Sequence, residues 1–255
     1  MTRQNAEVPP ARRSIRRGPV TVVYEPASLR REEAHAFAAL AARGVREMAR
    51  LIGRRGPSCL RFELRAALRI SSARGRTIVL PAYRVLTRSA PYLHEIAHVL
   101  LPCPHAPPWF GEGLAGYLES AVSEGGAGYD SHLFTPAGNS GVHADAAHWL
   151  ADPRGEAVLP YVGTRGTPPG ILSDRHNVAA PFYVFSHSLV KFLADQVGLP
   201  SVIRLARARK FAAAVRRATG KPATAWHAAW LDLLRAAPAP LNPPAAGTPA
   251  ADRAP

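Results

Sequence analysis

"YLHEIAHVL", residues 92–100, carries two histidines four apart, His94 and His98, with Glu95 directly after the first. On an α-helix, positions i and i+4 share one face, so both imidazoles project together and are close enough to share a metal ion. Zinc takes imidazole nitrogen at about 2.0 Å and, in catalytic sites, wants three protein ligands and an open fourth position. A glutamate beside the first histidine reaches the water at that position and acts as general base. At this content of His and Glu the pattern arises by chance in about 2% of such sequences. On the nonamer alone a second reading therefore stays open: two half-buried histidines on an ordinary amphipathic helix.

Downstream lies "PPWFGEGLAGYLES", residues 107–120, with thirteen residues between His98 and Glu112. That length ends one helix, turns at the prolines of 102–108 and starts a second helix that brings Glu112 back toward the histidines. HExxH followed by W-x-x-E-G-x-A-x-Y resembles the gluzincin, or peptidase MA-like, zinc metallopeptidases. The matching residues are Trp109, Glu112, Gly113, Ala115 and Tyr117. The resemblance implies a zincin-like fold, one Zn2+ held by His94, His98 and Glu112, Glu95 as general base, and hydrolysis of a peptide or related amide bond in a peptide or protein substrate. It is strong at 94–119 and looser at 181–198, where "FYVFSHSLVKFLADQVG" is similar to the helix that follows the insertion in small relatives. The thirteen-residue spacer is shorter than in the aminopeptidase and thermolysin branches. No amine-anchoring motif of an exopeptidase is evident, so the likeness is to the superfamily as a whole.

The same resemblance makes Tyr183 a candidate for steadying the oxyanion, with His187, one turn on, as a backup donor. The alternative for Tyr183 is a core aromatic beside Phe182 and Phe185. Glu119, two turns after Glu112, either holds a ligand histidine from behind or is a solvated helix charge. His105 and Cys103 sit in the connector as bystanders. His132, His143, His148 and His176 fall in a later irregular stretch and read as surface residues, while Trp226 and Trp230 share a helix face and read as core.

Around this centre the sequence reads as α+β, with strands early and helices late. "PVTVVYEP" (19–26) and "CLRFELRA" (59–66) read as strands, the second with Leu60, Phe62 and Leu64 on one face, and "RTIVLPAYRVL" (76–86) reads as another strand ended by Pro81. Residues 28–53 carry apolar positions at helical spacing and close on Gly53. Thr87 or Ser89 is placed to cap the HExxH helix, and Pro91 is tolerated in its first turn. Residues 1–18 read as a flexible basic arm, 19–235 as the zincin-like domain with 121–178 as an irregular insertion, and 236–255, rich in Pro and Ala, as a disordered tail.

The 255-residue chain is long enough to bury a sizeable core, and 47% of it is hydrophobic. It has no apolar run of membrane-spanning length and no apolar segment after its first basic residues, which suggests the cytoplasm. Cys59 and Cys103 form no framework and read as buried or half-buried thiols. The 32 Lys and Arg against 18 Asp and Glu give a formal charge of +14. "RLARARKFAAAVRRATGK" (204–221) holds seven basic residues and no acid, a surface that would attract nucleic acid or anionic membrane in a salt-dependent way. The plainer reading is arginine as the default surface residue, because no nucleic-acid motif accompanies the charge. A catalytically silent zincin fold, or a basic nucleic-acid-associated protein, is the alternative to the peptidase.

Overall fold

A computed structural model describes residues 11–124, 129, 135, 137–171 and 178–237 of the chain. Its first half is a five-stranded sheet of order β1-β2-β3-β5-β4, and the remainder is mostly helical. β1 (Arg13–Arg17) and β2 (Val20–Tyr24) form an antiparallel hairpin turned at Gly18. Helix α1 (Arg31–Leu51) then crosses over so that β3 (Leu60–Arg65) pairs parallel with β2. β5 (Thr77–Pro81) pairs parallel with β3, and the short β4 (Ser72–Arg74) lies antiparallel on its outer side.

One face of this sheet is apolar because its strands alternate. Leu60, Phe62 and Leu64 are buried, while Arg61 and Arg65 face solvent. α1 covers the apolar face with Phe37, Ala41, Val45 and Met48, spaced to share one side of a helix. Phe37 is the link to the functional elements: its ring meets Phe62 of the sheet edge-on at 5.4 Å and Tyr92 of α3 (Tyr92–Leu100) at 5.7 Å. α3 lies close against α1 at Gly44, where any Cβ would press on Leu93 and Tyr92.

Four expectations differ from the structure. Residues 13–17, read as part of a flexible arm, pair with β2 in full register, since Ile15 is buried between flanking arginines that stay outside. Residues 1–10 and the tail beyond 237 lie outside the described residues. The stretch 121–178, read as irregular, contains α5 (Gly138–Leu150), α6 (Pro153–Val158) and a 3-10 turn at Leu159–Tyr161. Its Gly, Pro and Ser content hid helices whose register is set by tertiary contact. Neither Thr87 nor Ser89 caps α3: the Thr87 hydroxyl bonds Ser89 and the Tyr83 carbonyl of α2 (Ala82–Leu86), and α3 starts directly after Pro91. Cys59 is exposed, whereas Cys103 is half-buried with its thiol pushed up to about 12 by burial and by the charge of Glu112.

The helical remainder is α4 (Pro108–Val122), α7 (Ala179–Val197), α8 (Leu199–Ala206), α9 (Phe211–Thr219) and α10 (Ala223–Ala236). The basic segment 204–221 spans α8 and α9, two short helices separated at Arg207–Lys210. Trp226 and Trp230 are buried, the first stacking near Trp109 and the second donating its indole N–H to Ser188 Oγ at 2.9 Å. Among the described residues no helix is long and apolar enough to cross a membrane.

Candidate metal centre

α3 supplies His94 and His98, and α4 supplies Glu112 one turn inside its start. Pro108 occupies the first helical position of α4, where its missing N–H costs nothing. The prolines of the connector thus end one helix and begin the next. α4 is pressed against α7 at Gly113, where any Cβ would overlap the Ser186 carbonyl. That contact fixes the axial and rotational setting of Glu112, the neighbouring residue.

The three donor atoms form a nearly equilateral triangle. His94 Nε2 lies 3.0 Å from Glu112 Oε2 and 3.1 Å from His98 Nε2, and His98 Nε2 lies 3.3 Å from the same carboxylate oxygen. A tetrahedral ion with bonds of 2.0–2.1 Å has ligand atoms about 3.3 Å apart, so these edges match one face of such a tetrahedron. Hydrogen bonding alone does not satisfy the triangle, because the single N–H that a neutral imidazole carries on Nε2 serves one neighbour and not two. A cation does satisfy all three lone pairs. Among the described residues, this is the one group of three or more potential ligands with donors this close.

The electrostatics run the same way. Burial disfavours a charged His94, yet the carboxylates of Glu112 and Glu119 outweigh it and raise its proton affinity well above the ordinary value. Burial likewise works against an ionised Glu112, but its bonds to His94 and His98 hold it well below the usual carboxylate range. A site that favours positive charge this strongly suits a divalent cation.

Glu95 is 7% exposed and lies next to this group. Burial raises its proton affinity, opposed by the fields of His94 and His98. That places a carboxyl able both to take and to return a proton beside the triangle. Tyr183, on the first turns of α7, has its ring 5.8 Å from that of His94. Its hydroxyl is held protonated by burial first, then by the charges of Glu112 and Glu95 and a hydrogen bond to Glu112. Glu119 Oε2 lies 3.7 Å from His94 Nδ1 with its side chain 14% exposed, so it faces His94 from the side away from Glu112 and is not a solvated charge.

The remaining candidates fall elsewhere. His187 is buried against Gly116 and accepts from Thr135 at Nδ1 (3.2 Å) while donating from Nε2 to Asn139 Oδ1 (2.7 Å). It ties α7 to the start of α5 and is occupied there. His105 is exposed in the connector. His143, expected at the surface, is half-buried on α5 and bonds Ser188 Oγ at 2.9 Å. His132 and His176 lie outside the described residues. Sequence reasoning missed Asn139, which donates to Ser120 Oγ, Glu124 and the Tyr117 carbonyl as well as binding His187. It also missed Arg54, whose guanidinium caps the Leu100 carbonyl at the end of α3 at 2.7 Å. A basic residue just beyond Gly53 was the only signal for Arg54, and Asn139 gave none.

No protein-family model matches the chain, and no curated protein does. Among solved structures, an M1 zinc metallopeptidase from Deinococcus radiodurans bound to a Tyr-Ser-Ala substrate is 20% identical, with a TM-score of 0.48 over 88% of this chain and 50% of that one. The M1 zinc metallopeptidase from Deinococcus radiodurans in a second structure is 17% identical, with a TM-score of 0.47 over 91% and 54%. A two-domain M1 zinc metallopeptidase bound to L-tryptophan is 18% identical, with a TM-score of 0.47 over 92% and 54%. The chain spans about half the length of these structures, and a TM-score below one half establishes no shared whole-chain fold.

Proposed function

We propose that this chain is a zinc-dependent peptidase in which His94, His98 and Glu112 hold the ion and Glu95 is the general base. The observation that carries the reading is the triangle of three donor atoms 3.0–3.3 Å apart with a buried fourth carboxyl beside it. Zinc bound there supplies Lewis acidity, polarising a scissile carbonyl and making water a better nucleophile at neutral pH. Glu95 takes the proton released as water attacks and returns it to the departing amine, a double use that its raised proton affinity favours. Tyr183, kept protonated, donates toward the oxygen on which negative charge develops. Glu119 steadies the ring of His94 from the Nδ1 side.

The test has two parts. Purified protein should carry zinc that the His94→Ala variant lacks, and equal, near-zero zinc in both would sink the reading. Glu95→Gln should keep its zinc and lose chelator-sensitive cleavage of casein or a peptide library, by at least about a hundredfold. Zinc content unchanged together with wild-type cleavage in that variant would instead remove Glu95 from the mechanism. Zinc binding with no cleavage of any library member in the parent would favour the catalytically silent zincin fold.

A further inference from the structure

A cavity of about 190 Å3 opens beside the last turn of α3, lined by Arg54, Arg55 and Arg76 together with Pro57, Gly75 and Val99. No carboxylate lines it, and among the described residues none of the three arginines is in an ion pair. Arg54 is anchored through Nη1 to the Leu100 carbonyl, which leaves its other N–H groups to face neighbours. The surroundings deepen the positive field: residues 53–76 hold seven arginines against Glu63 alone. Glu63 is already bound by Arg61 and Arg65. Arg54, Arg55 and Arg76 are exposed at the rim of this space, and three cations around it give a positive potential that suits an anion. The space borders Val99 and Leu100, the two residues that follow His98 on α3, and the turn that follows β4.

We propose that this cavity takes a carboxylate of the bound peptide, and that the substrates of this site are acidic peptides. The word substrate rests on the peptidase reading above; the carboxylate site rests on the three arginines and their cavity. A planar carboxylate accepts two parallel N–H bonds from a guanidinium.

The test is binding of a labelled Glu-rich peptide and its Gln counterpart to the zinc-loaded full chain, followed by fluorescence anisotropy. The wild type should bind the Glu peptide about tenfold tighter, the scale of one or two charge-assisted hydrogen bonds. Arg55→Ala/Arg76→Ala should lose most of that preference with zinc content and melting temperature unchanged. Arg207→Ala/Arg216→Ala, which removes the same charge from α9 and the turn before it, should keep it. Equal loss in both double variants, or no preference in the wild type, would overturn the proposal in favour of diffuse surface charge. Displacement of the peptide by inorganic phosphate at concentrations where acetate and glutamate have no effect would overturn it in favour of a phosphate site. Binding is read without turnover, so absence of chelator-sensitive cleavage would count against the peptidase reading and leave the carboxylate site standing.

Discussion

At the scale of single residues, the proposed mechanism divides the centre into groups that hold the ion and groups that react. Tyr183 and Glu119 both face His94, one from the ring face and one from behind Nδ1, and the two make different predictions. Tyr183→Phe keeps the ring and removes the donor, so kcat should fall by about a hundredfold while zinc content and KM hold. A KM effect without a kcat effect would instead make Tyr183 a packing residue. Glu119→Gln keeps the shape and removes the charge, so zinc affinity should fall about 10–100-fold in a chelator competition assay. In the sequence, each of the two has a plain structural role as its alternative. Their distances to His94 come from the tertiary structure alone, because neither residue type nor spacing says which way a side chain on a two-sided helix points.

At the scale of elements, the site depends on how α4 is seated against α7. Gly113 has no room for a Cβ beside the Ser186 carbonyl, so Gly113→Ala must push two helices apart. The cost is about 1–3 kcal/mol, a fall of roughly 2–12 °C in melting temperature for a chain of this size. Because Glu112 is the adjacent residue, zinc affinity should fall with it. A variant that loses neither would show that the contact is relaxed in solution. The pairing of α5 with α7 carries a pH signature. Burial first, then Lys191, lowers the proton affinity of His143, against a smaller opposing effect from Asp195. Ser188 Oγ accepts from Trp230 and is also able to donate to the neutral His143 Nδ1, and burial disfavours a further proton on that imidazole. The unfolded chain binds this proton more readily, so the stabilisation is complete above the ordinary histidine value near 6.5. It is then lost as pH falls toward the lower folded value. His143→Gln should flatten the decline of melting temperature between pH 6.5 and 5; an unchanged slope would place the decline elsewhere.

At the scale of the whole molecule, the proposed ion, held between α3 and α4, would couple the sheet half to the helical half. α3 is tied to the sheet through Tyr92, Phe37 and Phe62, and α4 to α7 through Gly113. An ion at about a hundred times its dissociation constant stabilises the folded state by about 2.7 kcal/mol, or roughly 5–10 °C here. Chelator should therefore lower the melting temperature of the wild type by that amount and leave His94→Ala unmoved. Equal melting temperatures with and without chelator in the wild type would exclude the coupling.

The sequence by itself determined the parts whose physics is periodic. Alternation wrote β3, helical spacing wrote α1, α7 and α10, and an i, i+4 histidine pair followed by a proline-rich turn made legible the two helices that bring His94, His98 and Glu112 together. Local patterns carry that information because strand and helix periods are set by the backbone. The tertiary structure decided what depends on partners distant in the chain. β1 is a strand because β2 lies beside it, the helices of 138–158 form where Asn139 and His187 meet, and Glu119 turns toward His94 because α4 is rotated by its contact with α7. The same holds for the arginine cavity: its three side chains come from two loops twenty residues apart, and only the pairing of β5 with β3 brings them to the end of α3.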